Sequence, residues 1–194
     1  MVAIFAFIDF QHVFADKTSW CVPKFNETLK TASYAWNMVK RFHNNEAVPV
    51  ATAYIPPKNI SGIWKEYFDD FPDIPTDPCN KIFNIDDTLL YDSNIDKLRY
   101  SGFSKWKPIE LLLKRELEPG YDASNNNILY LTGVATDCCV LSTALEAIES
   151  GIKVYIIKDA CAAGTDESHE NALKIMSGYS PNIEIIDSSF FCTN

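Results

Sequence analysis

The sequence predicts a single α/β domain, with parallel strands in a middle layer and helices on both of its faces. Two observations carry this. Short apolar runs rich in β-branched and aromatic residues alternate with longer stretches of helical period, from the first residues to the last. The chain is 194 residues long, with no internal repeat, low-complexity tract or interdomain linker, so residues 1–194 read as one domain with a substantial core. Strand–helix alternation implies right-handed crossovers between parallel strands, and hence a three-layer α/β/α arrangement.

The elements follow in order. Residues 2–8 of MVAIFAFIDF form a buried strand. Residues 25–42 have helical period, with Leu29, Ala32, Trp36 and Val39 on one face. A second strand at 48–55 is stopped by Pro56 and Pro57. Residues 56–92 are irregular, with a short helix expected around 64–68, and a weakly signalled third strand covers 94–98. Pro108 suits the first turn of a helix reaching about Leu117. The polar loop GYDASNNN precedes a strand at 128–132. A helix over 137–150 ends at Gly151, then a strand at 153–158, a helix at 168–176 and a last strand at 183–186.

Composition narrows the function. The formal net charge of −9, with no long Lys/Arg run, argues against a nucleic-acid or anionic-membrane surface. The apolar N-terminus is interrupted by Asp9 and preceded by no basic residue, unlike a signal peptide or membrane span. The six cysteines are therefore expected as reduced thiols, and the cytoplasm as the location.

Two of those cysteines are adjacent, in LTGVATDCCVLSTALEA. Neighbouring Cα atoms lie about 3.8 Å apart, too close for a relaxed disulfide. Zinc cysteines are usually spaced by two to four residues, and no histidine is near. With a helix starting at Asp137, Cys138 would share an apolar face with Leu141, Leu145 and Ile148, and so read as core. Cys139 would face the mouth of the turn, where a helix N-terminus favours a thiolate. From the residues alone, Cys139 is either an activated nucleophile or one of two inert core thiols.

In open parallel sheets, ligands bind at the carboxyl ends of the strands. That rule picks out Asp9 after the first strand, Lys97 near the end of the third, and the 133–139 turn after the fourth. A carboxylate, an ammonium and a thiol would converge there, and a thiol nucleophile needs a base held in a set orientation.

These stretches resemble the isochorismatase-like cysteine hydrolases. FIDFQHVF is similar to the family's Asp-x-Gln motif, with Asp9, Gln11 and Phe14. KLRYSGF is similar to its Lys-x-Arg-Tyr-Ser-Ala-Phe motif, with Lys97, Arg99, Tyr100, Ser101 and Phe103, and with Gly102 in place of Ala. GVATDCCV resembles the family's nucleophile turn, and VYIIKDACAAGTDESHENAL its later strand, Asp-Ala turn and helix.

The resemblance implies a doubly wound, Rossmann-like sheet of six parallel strands. It implies an Asp9–Lys97–Cys139 triad that hydrolyses a C–N bond of a small amide, ureide or carbamoyl compound through a thioester. It also implies a cis peptide between Val134 and Ala135, with the Ala135 and Cys139 amides as oxyanion hole. Gln11, Phe14, Trp64, Tyr100, Phe103 and Trp106 are the candidate substrate contacts. The spacing to Phe103 favours Lys97 over Lys105. Family members usually form homodimers or homotetramers. A vinyl ether hydrolase of the isochorismatase type, or a non-catalytic binding scaffold, would be the alternatives.

No cofactor is expected. Nicotinamidases of this family carry an Asp-x-His metal motif just after the second strand. Here VATAYIPP stands in that place, and His12, His43 and His169 fall elsewhere. The expectation is therefore a metal-independent enzyme that is not a nicotinamidase.

Overall fold

The computed structural model describes residues 3–54, 60–74, 94–97, 100–101 and 127–192. Six strands form one sheet: β1 Ala3–Ile8, β2 Val48–Tyr54, β3 Asn94–Lys97, β4 Ile128–Val134, β5 Lys153–Ala162 and β6 Ile183–Ile186. They lie in the order β3-β2-β1-β4-β5-β6, and every neighbouring pair is parallel. Helices α1 His12–Ala15, α2 Phe25–Phe42, α3 Ile63–Asp70, α4 Leu141–Glu149 and α5 Asp166–Ser177 occupy the connections between strands.

The alternation of side chains along β1 explains the layers. Phe5 and Phe7 join Ala32, Ala35, Trp36 and Val39 of α2 in one buried cluster. The Phe5 and Trp36 rings lie 5.5 Å apart. Ile4, Ala6 and Ile8 point the other way and join Val140, Ala144 and Ala147, with Ala172, Leu173 and Met176 of α5. Both faces of the sheet are thus covered, which is why its strands are apolar on both sides.

The strand order reverses between β1 and β4. Their carboxyl ends are in register, Ile8 opposite Gly133, with Ile8 also opposite Thr52 on β2. One step further out, Tyr54 of β2 pairs with Lys97 of β3. The rule for open sheets therefore places a crevice between Asp9 and the turn that follows Val134.

Four differences from the sequence reading have physical causes. The strand expected to end at Lys158 continues to Ala162, because the register shifts between Leu131 and Gly133 and then resumes as Gly133 opposite Cys161. The charged pair Lys158 and Asp159 faces solvent across that irregularity. Helix α1 and a closing 3-10 turn at Ser188–Cys192 are too short to show a period. The helix expected from Asp137 opens instead with one π-turn, Thr136–Val140, before α4 begins. The helix expected from Pro108 lies outside the described residues. No helix among the described residues is long and apolar enough to cross a membrane.

Candidate active site

The π-turn decides how the two cysteines are placed. The Val140 amide donates to the Ala135 carbonyl, five residues back. The extra residue rotates the helix phase relative to a plain α-helix. The fully buried stripe becomes Val140, Thr143, Ala144 and Ala147, with Cys139 beside it at 7% exposure. Cys138, Leu141, Leu145 and Ile148 are only partly buried, at the margin of the same cluster. The reading of Cys138 as core and Cys139 as the outward residue is thus corrected: Cys139 is the more buried, and both thiols line one cavity.

That cavity measures about 190 Å³. One wall is the turn after β4, made of Ala135, Asp137, Cys138 and Cys139; Gly164 closes it from the loop before α5. The Val134–Ala135 peptide is cis. The opposite wall is aromatic: Phe14, Trp20, Tyr54, Trp64, Tyr67 and Tyr100. Phe14 and Trp20 stack, with ring centroids 5.6 Å apart and planes 14° from parallel. Trp64 lies 5.7 Å from Tyr67 and 5.6 Å from Tyr100. Burial, and then the neighbouring Tyr100, raises the Tyr67 phenol well above its ordinary value, so it is a neutral hydrogen-bonding group at physiological pH.

Two polar ties hold this wall. The Asp73 carboxylate accepts from both the backbone N–H and the hydroxyl of Ser19, each at 2.7 Å, and so joins the Trp20 loop to the segment after α3. The Ser101 hydroxyl donates to the Glu146 carboxylate on α4, which ties the chain next to Tyr100 to the helix that follows the Cys138–Cys139 turn.

Asp9 is wholly buried at the end of the central strand. Its φ of +50° lies in the left-handed region, which Asp tolerates better than most residues, and the chain turns there out of the sheet. The Thr52 hydroxyl donates to Asp9 Oδ1 at 2.6 Å and accepts from the Asp9 N–H at 3.2 Å. Thr52 therefore orients the carboxylate from the adjacent strand.

Lys97 is placed by its backbone as the last residue of β3, two strands from Asp9. Its side chain lies outside the described structure, as do Arg99, Phe103, Lys105 and Trp106, so the choice of Lys97 over Lys105 falls there too. Gln11 is also fully buried, but its amide faces the backbone of β2. It donates to the Tyr54 carbonyl at 3.1 Å and accepts from the Tyr54 N–H at 2.7 Å. It is not among the residues that line the cavity, so in place of the substrate contact expected from the sequence it serves as a sheet-end clamp. Replacing it by Leu should strand both Tyr54 groups and lower stability by about 2–4 kcal/mol, measurable by urea unfolding.

Sequence reasoning missed Trp20, Cys21, Tyr54 and Tyr67 as cavity residues. Tyr67 had a usable signal, three positions after Trp64 on a short helix. Trp20 and Cys21 sit in a loop whose path no periodicity reports. Thr52 and Tyr54 stand in the stretch where the metal motif of nicotinamidases would fall. One holds Asp9, and the other joins the aromatic wall. Among the described residues, no three His, Cys, Asp or Glu side chains are grouped so as to hold a metal ion.

The isochorismatase domain model matches residues 3–188. An uncharacterized isochorismatase family protein PncA from Bacillus subtilis is 32% identical over 125 residues, covering 63% of this chain and 58% of that protein. The chain thus spans little more than half the length of that curated relative. Among solved structures, an isochorismatase-like hydrolase from Alkaliphilus metalliredigens aligns over 100% of this chain and 98% of its own, at 22% identity and a TM-score of 0.76. The nicotinamidase PncA of Bacillus subtilis aligns over 96% and 100%, at 19% identity and a TM-score of 0.68. These two share the fold. With the domain model matching residues 3–188, and so the whole of the six-stranded sheet and the GVATDCCV turn, the chain belongs to the isochorismatase family.

Proposed function

We propose that the protein is a cysteine amidohydrolase acting on the C–N bond of a small amide, ureide or carbamoyl compound. One observation carries this reading. A fully buried carboxylate, Asp9, ends the strand that lies in register beside the origin of the Cys139 turn, and that turn opens into an aromatic cavity. A buried acid and a buried thiol at the same end of the sheet are the groups that a thiol nucleophile and its base require.

The steps follow from these groups. Asp9 takes the proton of the Cys139 thiol, and the thiolate attacks the carbonyl carbon. The oxyanion is held by the backbone N–H groups of Ala135 and Cys139, where one donor typically contributes about 3–4 kcal/mol. Protonated Asp9 passes its proton to the departing nitrogen as the C–N bond breaks. Asp9 then takes a proton from water, whose oxygen attacks the thioester. The acid is released, and the proton returns to the Cys139 sulfur. Lys97 is assigned to hold the Asp9 carboxylate and favour the thiolate. The aromatic wall would take a flat or apolar part of the substrate and exclude water.

No step runs through a metal. In the stretch where a nicotinamidase would carry its motif, the pairs at that spacing are Ala51 with Ala53 and Thr52 with Tyr54, neither of them an Asp–His pair, and the Thr52 hydroxyl is bonded to Asp9. Turnover is therefore expected to survive dialysis against a chelator, and nicotinamide to be a poor substrate. Chelator-sensitive activity restored by zinc would contradict this.

The test is an ammonia-release screen across small amides, ureides and carbamoyl compounds, with Cys139→Ala as the blank. Pyruvate release from isochorismate, unaffected by Cys139→Ala, would establish the vinyl ether reaction instead. A Cys139 that resists iodoacetamide at neutral pH, with no turnover of either kind, would leave a binding scaffold.

A further inference from the structure

The Thr136 hydroxyl has one partner among the described residues, and it lies on another element. Thr136 follows Ala135 and opens the turn that carries Cys139. It is 0% exposed. Its Oγ1 lies 2.9 Å from Nδ1 of His169, on the first turns of α5. His169 is only half-buried, and its other side lines a polar surface hollow of about 340 Å³. A ring that touches the nucleophile turn on one side and a charged hollow on the other can carry a proton signal between them.

The direction of the hydrogen bond can be argued. If Nδ1–H donated to Thr136, the hydroxyl proton would be left in a fully buried place with no acceptor among the described residues. If the hydroxyl donates, only a spare lone pair is unused, and an under-used acceptor costs less than a stranded donor. The Thr136 hydroxyl therefore donates to an unprotonated Nδ1. An imidazolium has two N–H donors and no acceptor, so protonation removes the site that this hydroxyl needs.

We propose that His169 is a positioning residue for the chemistry assigned to Cys139: its neutral Nδ1 holds the Thr136 hydroxyl, and through it the Ala135–Cys139 turn, and protonation from the hollow releases that hold. The inference rests on the amidohydrolase reading for its kinetic consequence, but not for the bond itself. The groups around the ring are mixed. Burial holds the His169 imidazole below the usual histidine value. Lys24 adds to this, while Glu170, Asp166 and Asp137 oppose it. Glu27, Lys158, Asp159 and Cys161 line the rest of the hollow. Neutral His169 is thus the form present at neutral pH, and the hold is lost as pH falls below the ordinary histidine range.

The test uses the full chain and the variants His169→Ala, His169→Asn and Thr136→Val. In His169→Ala, kcat should fall roughly tenfold to a hundredfold with KM little changed, as expected for a misplaced reacting group. His169→Asn, whose side-chain amide can still accept from the hydroxyl, should recover most of that loss. Its kcat should also hold to lower pH than that of wild type. The NMR titration midpoint of the His169 ring should rise in Thr136→Val, because hydroxyl donation favours the neutral ring. Iodoacetamide alkylation of Cys139 in His169→Ala, read by peptide mass spectrometry, should slow by a similar factor; this needs no substrate. If wild type turns over no amide, the amidohydrolase reading fails, while the ring titration and the alkylation rate still decide the inference. Superimposable acid limbs in wild type and His169→Asn, an unmoved ring midpoint in Thr136→Val, or unchanged alkylation in His169→Ala would each overturn it.

Discussion

Cys139→Ala is expected to reduce turnover by ~10⁴-fold or more, the scale on which removal of a covalent nucleophile is felt, while Cys138→Ala retains kcat. Both side chains line the same cavity, so proximity does not separate them. The backbone does. Cys139 sits beside the buried stripe at 7% exposure, with its own carbonyl accepting from the Thr143 hydroxyl at 2.7 Å. Its backbone is therefore tied to the first turn of α4, and its side chain lines the cavity. Cys138 is only partly buried, at the edge of the cluster. The same contrast sets the stability costs. Cys139→Ala removes a buried sulfur and should lower stability by about 1 kcal/mol, with a smaller loss for Cys138→Ala. Steady-state ammonia release and urea unfolding on both variants check this. A Cys138→Ala enzyme that is dead, beside a Cys139→Ala enzyme that turns over, would reverse the assignment.

Much of the fold was legible because the strands and long helices carry their signals locally. α2 runs over the residues its period marks, and Ile183–Ile186 is a strand as its run of Ile indicates. Asp9 was legible for a topological reason: an acid ending an apolar central strand falls at the crevice wherever the sheet reverses. What was not legible depends on pairing between distant segments. Gln11 reads as a polar residue near a site, and only the placement of β2 shows that its amide is matched to the two backbone groups of Tyr54. The cysteine phase failed for a related reason. A π-turn is one added backbone residue with no sequence period of its own, so a plain helical wheel assigns the wrong face to the residues inside it. Thr136 and His169, 33 residues apart, meet only because α5 packs on the Thr136–Val140 turn.

Gly133→Ala is expected to be the most damaging glycine-to-alanine change among the described residues. Gly133 has φ of +121°, a region that residues with a Cβ rarely adopt. A Cβ built there would lie 2.1 Å from the Ile8 carbonyl oxygen, 2.7 Å from the Ile8 nitrogen and 2.8 Å from its carbonyl carbon. These are backbone atoms of the paired central strand, so no side-chain rotation can relieve the overlap. β1 and β4 would have to part at the pairing of Ile8 with Gly133, one residue before Asp9 and two before Ala135. Backbone strain and overpacking together should cost about 3 kcal/mol or more, a large part of the roughly 5–15 kcal/mol by which domains are stable. Melting should fall by roughly 6–12 °C at about 2–4 °C per kcal/mol for a chain of this size. Gly164→Ala is the control. Gly164 also lines the cavity, but a Cβ there meets nothing within 4 Å. Its melting temperature should stay near that of wild type, with any effect confined to KM. Turnover separates the two again: the Gly133 variant should lose kcat even where it remains folded, because Ile8 opposite Gly133 is the last pairing of β1 and β4 before Asp9 and the Cys138–Cys139 turn. An equal, small loss of stability in both variants would show that β1 and β4 are not held together at this point.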